Sequence, residues 1–198
     1  MLRGLLDLIL PACCAGCATP GEVLCLRCRR GMACVRLVER TKGPPMYALA
    51  KYDGPARRAV IAYKERGRRE LAAHFGRLLA EALARLSGPG VVVVPAPSRA
   101  AAARRRGGQH MLEVARRTGV PVRSVLRLDR RARDSVGLDR AGRAANLKGR
   151  IRCAPLARGT EVIVVDDVIT TGATAAACAD VLRKAGANVK AVLALTAT

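Results

Sequence analysis

The stretch "VIVVDDVITTGAT", residues 162–174, decides how this chain is read. Val162, Ile163, Val164 and Val165 form the unbroken apolar run of a strand buried on both faces, as in a parallel sheet, and a strand is predicted over 161–165. Asp166 and Asp167 follow where that strand is expected to end. Thr170, Thr171, Gly172, Ala173 and Thr174 then turn into a helix predicted over "ATAAACADVLRKAG", 173–186. Open α/β sheets bind ligands beyond the carboxyl ends of their strands. The amides of a helix start, its dipole and the threonine hydroxyls make a seat for a phosphate, and Gly172 lets the backbone come close. Carboxylates beside such a seat accept hydrogen bonds from sugar hydroxyls, directly or through a magnesium hydration shell. Phosphate next to a diol indicates a ribose 5-phosphate. An N-capping turn with incidental acids, or an aspartate pair holding only metal, is the alternative, and neither requires acids, threonines and glycine in this order.

Outward from this motif, apolar strands alternate with amphipathic helices. "MYALAKYDG" (46–54) reads as a strand closed by Asp-Gly, and "PARRAVIAYKERG" (55–67) as a helix stopped at Gly67. "RELAAHFGRLLAEALARL" (69–86) puts Leu71, Phe75, Leu78, Leu79, Ala82, Leu83 and Leu86 on one face. "VVVVPAPSR" is a strand ended by its prolines. A helix near 108–118, a short strand near 122–126, an irregular basic stretch to about 150 and a last strand "NVKAVLALT" (188–196) complete the pattern. The alternation predicts an α/β fold with a mostly parallel sheet covered by helices on both faces.

Six of the eight cysteines lie between residues 13 and 34. Cys14-x2-Cys17 and Cys25-x2-Cys28 form two knuckles seven residues apart, a spacing that suits tetrahedral zinc held by four thiolates. With no open position for water, such a site is structural and stabilises a segment too poor in apolar side chains to fold alone. Cys13 is an alternative to Cys14 as first ligand, and a disulfide pair or free thiols is the alternative to metal. Cys34 is a spare, and Cys153 and Cys178 read as small core residues. "RTKGPP" (40–45) links this segment to the rest.

A length of 198 residues with 51% apolar content allows one ordinary domain with a small appendage. The formal charge of +21 calls for an anionic counterpart such as phosphate, nucleic acid or lipid, or else is a solvated surface. Residues 99–150 hold 15 Arg or Lys against 4 acids. All four aromatic residues precede that segment, so single-stranded DNA bound there is held by charge more than by stacking. "MLRGLLDLILPACC" (1–14) is interrupted by Asp7 and reads as a short amphipathic helix. No run reaches the ~20 apolar residues of a membrane span, and a cytoplasmic location is expected. His74 reads as a core-edge residue of its helix. His110 falls in the suspected anion region, yet neither histidine lies near a Ser, Cys or carboxylate at triad spacing, so neither is assigned a catalytic role.

Over its whole thirteen-residue length "VIVVDDVITTGAT" resembles the phosphoribosyl pyrophosphate motif of type I phosphoribosyltransferases. Together with "CCAGC" (13–17), "CLRC" (25–28), "VVVVPAP" (91–97), "RRRGG" (104–108) and "GLDRAGRAANLKGR" (137–150), the chain resembles the ComF family of competence-associated proteins along nearly its entire length. The resemblance implies a zinc-binding segment at 1–42 and a phosphoribosyltransferase-like domain at 46–198. It implies that Asp166 and Asp167 act at the reaction centre on the ribose hydroxyls, and that Thr170 through Thr174 hold the 5-phosphate. It also implies that the turn "PAPSR", with Ser98 and Arg99, and Arg106 beyond it, binds pyrophosphate. Where the family often shows Arg-Gly-Phe-Asn-Gln, this chain has Arg106, Gly107, Gly108, Gln109 and His110. The implied function is binding of phosphoribosyl pyrophosphate with magnesium in a protein serving DNA uptake. The alternative is an active transferase that displaces pyrophosphate from the anomeric carbon in favour of a nucleobase or related acceptor.

Overall fold

The computed structural model describes residues 12–38, 43–98, 108–129 and 149–198. Most of the helix expected within 1–14, residues 40–42 of the linker, and Arg99, Arg104, Arg105 and Arg106 lie outside these ranges, as does most of the basic segment.

Five strands make the main sheet: β1 (Arg36–Leu37), β2 (Met46–Lys51), β3 (Val92–Pro95), β6 (Glu161–Ile169) and β7 (Asn188–Ala197). Their spatial order is β1-β2-β7-β6-β3, with every neighbouring pair parallel except β1 and β2. A separate antiparallel pair joins β4 (Leu126–Leu128) to β5 (Ile151–Cys153). The helices are α1 (Leu26–Gly31), α2 (Gly54–Glu65), α3 (Leu71–Leu86), α4 (His110–Ala115) and α5 (Ala173–Lys184). This is the α/β class that the alternation predicts.

The sheet is apolar on both faces because β6 and β7 lie at its centre, and their side chains alternate between two cores. Ile163, Val165, Leu193 and Leu195 point to the face covered by α2, α3 and α4, where Phe75, Leu79 and Leu83 are fully buried. Val162, Val164, Val192 and Ala194 point to the other, against Cys178, Ala179 and Leu182 of α5 and the β4–β5 pair. The cysteine segment belongs to the first core, since Leu24 and Met32 pack in the same cluster as Phe75 and Leu49. Arg58 and Arg68 add polar ties, donating to the carbonyls of Gly16 and Cys13 at 2.6 Å each.

Two expectations need correction. Strand β6 runs to Ile169 rather than ending at Val165, because β7 extends to Ala197 and keeps pairing with it through Asp166↔Ala194, Val168↔Thr196 and Ile169↔Ala197. Its other neighbour, β3, stops at Pro95↔Val165, with one further bond from the Ala96 amide to the Val165 carbonyl. The short strand placed near 122–126 contributes one bridge, Val93↔Val122, and the extended residues proper are 126–128, which pair with β5.

Gly76 marks the closest approach of α3 to the end of α4: a β-carbon there would lie 2.5 Å from Cβ of Arg117 and 3.0 Å from its carbonyl oxygen. Gly76→Ala is therefore expected to destabilise the fold by about 1–3 kcal/mol through overpacking, although alanine is the better helix former. Urea unfolding with an unchanged slope and a lowered midpoint is the expected readout.

Candidate functional site

The unequal lengths of β3 and β7 create the site. Beyond Pro95 the chain leaves the sheet, with the Ala96 amide still bonded to the Val165 carbonyl at 2.8 Å, so the last turn of β6 has a partner on one side only. Asp166 and Asp167 occupy this half-open stretch. The pleat sends adjacent side chains to opposite faces, and the two carboxylates meet different surroundings.

Asp167 joins the helical face of α2 and α4. Its Oδ2 lies 2.6 Å from Nζ of Lys64 and 2.7 Å from Nε2 of His110, and its side chain is 9% exposed. Burial works against the charge, but the His110 hydrogen bond and the Lys64 ammonium outweigh it and hold the carboxyl well below its usual range. His110 continues the chain of contacts: its Nε2 meets Asp167 and its Nδ1 lies 3.3 Å from the Ser98 hydroxyl oxygen. The Tyr63 hydroxyl donates to the His110 carbonyl at 2.7 Å, and its ring packs edge-on against Phe75. Ser98, His110 and Asp167 thus stand in a line, contrary to the sequence expectation that His110 has no serine or carboxylate partner. The three residues come from the β3 loop, the start of α4 and the end of β6, and no local spacing signals their meeting. Lys64 was missed for the same reason.

Asp166 faces α5. The Asp167 amide donates to its Oδ1 at 2.8 Å, and no cation lies within ion-pair distance among the described residues. Burial, and then the neighbouring Asp167 charge, push its carboxyl up from 3.8 to about 7. The Cys178 thiol opposite is raised too, by burial and by that same carboxylate.

The turn into α5 supplies the other half. Gly172 sits at φ 76°, a left-handed conformation that explains glycine there, and is followed directly by the first helical residue. The Thr171 hydroxyl accepts the Ala173 amide at 3.4 Å, while Thr170 is exposed and Thr171 and Thr174 are half-buried. The remaining first-turn amides have no intrahelical acceptor by the nature of a helix start. Ser98 is brought to this carboxyl end of the sheet through His110. Arg99 and Arg106 fall outside the described residues.

The cysteine cluster is a second centre. The sulfurs of Cys14, Cys17, Cys25 and Cys28 all lie within 4.8 Å of one another, with Cys17 and Cys25 at 3.6 Å. Tetrahedral zinc–thiolate bonds of about 2.3 Å require sulfurs about 3.8 Å apart, so the donor set fits zinc. Cys14, buried, belongs to the set, and Cys13 is exposed outside it. The Cys25 amide donates to the Cys14 sulfur at 3.3 Å, a tie typical of thiolate knuckles. Hydrogen bonds from the hydroxyl and amide of Thr19 bring the Cys17 thiol down to about 6. A β-carbon on Gly16 would come within 2.7 Å of the Cys28 sulfur, so the first knuckle closes only over glycine.

No family model matches the chain. A curated hypoxanthine/guanine phosphoribosyltransferase of Ferroglobus placidus is 56% identical over 43 residues, which is 22% of this chain and 23% of that protein. The match therefore spans less than a quarter of that relative's length. Among solved structures, an adenine phosphoribosyltransferase is similar at 15% identity over 85% of this chain and 87% of that one, with a TM-score of 0.41. A hypoxanthine phosphoribosyltransferase from Staphylococcus aureus is similar at 15% identity over 63% and 60%, with a TM-score of 0.35. The UMP synthase of Leishmania donovani is similar at 17% identity over 83% of this chain and 29% of that one, with a TM-score of 0.37.

Two outcomes follow from these centres. Because the native Asp166 carboxyl holds a proton between 3.8 and about 7 that the unfolded chain has released, its contribution to stability falls as pH rises through that window. Asp166→Asn is accordingly expected to be more stable than the parent at pH 8 and to flatten the pH dependence below 7, measured by urea unfolding across pH. At the cysteines, one equivalent of Zn(II) is expected to bind the reduced chain. Cys17→Ser should lower the thermal midpoint by at least about 5 °C while Cys13→Ser leaves it unchanged.

Proposed function

We propose that the chain binds the phosphoribosyl group of phosphoribosyl pyrophosphate, or of a ribose 5-phosphate, at the carboxyl end of β6. The observation that carries this reading is the juxtaposition of a half-open strand end bearing Asp166 and Asp167 with the Gly172 turn into α5. In this reading the first-turn amides of α5 and the hydroxyls of Thr170, Thr171 and Thr174 take the 5-phosphate. Asp166, with no ion-pair partner among the described residues, takes the ribose diol. Magnesium bound with the pyrophosphate would be held on the same carboxylate, where it would supply charge neutralisation for the leaving oxygens. Asp167, tied to Lys64 and His110, fixes the strand end. Ser98, with Arg99 directly after it and Arg106 further along the chain, serves the pyrophosphate. The motif resemblance and the 56%-identical stretch shared with a hypoxanthine/guanine phosphoribosyltransferase support the ligand class.

The domain division we propose is a zinc-holding segment at 1–42 and the ligand-binding domain at 46–198. Zinc in the segment is structural, locking α1 onto the shared core. Use of the bound sugar phosphate in DNA uptake, with single-stranded DNA along 99–150, is what the ComF resemblance adds. Nucleobase transfer is the second reading, and the His110–Asp167 pair favours it: an imidazole oriented by a buried carboxylate is placed to take a proton from an attacking acceptor.

Equilibrium binding of ribose 5-phosphate and phosphoribosyl pyrophosphate with magnesium tests the pocket. Asp166→Asn combined with Asp167→Asn is expected to weaken binding by at least about a hundredfold, a loss on the scale of two charge-assisted hydrogen bonds. Retained affinity in that variant would refute the site. Base-dependent release of pyrophosphate across a panel of nucleobases would establish transfer, with His110→Ala then slowing turnover more than binding.

A further inference from the structure

A second feature is built from different elements. Helix α1 of the cysteine segment lies near α3, and between them opens a cleft of about 180 Å³. Arg29 and Arg30 line it from α1, and Arg77 with His74 from α3, over apolar walls that include Leu26 and Leu78. Glu81 at the rim is the one carboxylate among its lining groups.

The polar accounting of this cleft is incomplete. Among the described residues, the buried side-chain nitrogens or oxygens without a partner are Nε of Arg29 and Nδ1 of His74, and both residues line this cleft. A buried polar group left unsatisfied costs about 1–3 kcal/mol, so two beside one cavity mark a place where acceptors are missing. Arg29 reaches Glu22 only at 3.7 Å through Nη2, and no carboxylate pairs with Arg30 or Arg77 among the described residues. Burial, and then Arg77 and Arg29, push the His74 imidazole below its ordinary value. Three arginines and a histidine thus line a space with a single acid among its lining residues. Guanidinium forks match the tetrahedral oxygens of a phosphate, and the apolar walls suit a small organic body bearing it.

We propose that this cleft is a second phosphate-binding site, distinct from the strand end of β6, in which Arg29, Arg30 and Arg77 hold the oxygens of a phosphate group beside His74. The phosphate comes either from a small phosphorylated metabolite or from a polynucleotide backbone. The site depends on the cysteine segment, since α1 begins directly after Cys25 and contains Cys28. It couples that segment to the sugar-phosphate domain through a shared ligand.

The chain has only two histidines, so selective ¹³C-histidine labelling gives one reporter in each site: His74 here and His110 at the strand end. The full-length zinc-loaded protein is titrated with inorganic phosphate, thymidine 5′-monophosphate and a twelve-residue oligothymidylate. The His74 resonance is expected to shift saturably with phosphate. Arg30→Gln with Arg77→Gln, two exposed positions, should raise that midpoint by about tenfold or more and leave the His110 response unaltered. Saturation by the monophosphate at concentrations similar to those of the oligomer, counted per phosphate, assigns a metabolite. Preference for the oligomer with a steep salt dependence assigns a polynucleotide. A His74 resonance that stays still while His110 moves, or a double variant that titrates like the parent, would overturn the proposal.

Discussion

Two neighbouring carboxylates on one central strand cannot share one environment, and much of this molecule is arranged around that constraint. The pleat of β6 sends Asp167 to the α2–α4 face and Asp166 to the α5 face, at the point where β3 has already left the sheet. Lys64 pairs with the first and His110 hydrogen-bonds it, so that its charge survives burial. The second has a backbone amide, the repulsion of its neighbour and no ion-pair partner among the described residues. A carboxylate kept short of counter-charge beside a helix start is costly for folding and useful for binding, because a ligand that brings hydroxyl donors or a cation relieves the deficit. Stability withheld at one residue is in this way available as binding energy.

The cysteine segment extends the same logic to the other end of the chain. Leu24 and Met32 enter the core shared with Phe75, and Arg58 and Arg68 donate to carbonyls of the first knuckle. A metal closing the four thiols would therefore brace α2 and α3 as well as the segment itself. Lys64, which fixes Asp167, is carried on α2, so the strand-end pocket and the cysteine cluster are connected through one helix.

Much of the architecture was legible because it is written in local periodicity. The apolar runs of β6 and β7, the stripe of α3 and the doubled Cys-x2-Cys spacing each name their element without reference to distant residues. The end of β6 was not legible, because it is set by the length of β7, with which it pairs as far as Ile169↔Ala197 after β3 has left the sheet. The choice of Cys14 over Cys13 depends on which sulfur points inward, a matter of burial. The Ser98–His110–Asp167 line was missed because its members are separated by 12 and 57 residues and meet only when β3, α4 and β6 have packed. The one available hint was position: in sequence His110 follows an arginine-glycine stretch before a predicted helix, in the suspected anion region. β5 is three residues long and pairs with β4 alone, too short a run to leave a pattern.

The most direct test of this account is a ¹³C-carboxyl titration of aspartate-labelled protein, free and saturated with phosphoribosyl pyrophosphate and magnesium, with Asp166 assigned by its asparagine variant. The account predicts that the Asp166 carboxyl titrates near neutral pH in the free protein and falls into the ordinary carboxylate range when the ligand binds, while Asp167 stays ionised throughout. An Asp166 carboxyl already ionised at mildly acidic pH, or one whose titration is unaffected by bound ligand, would contradict it.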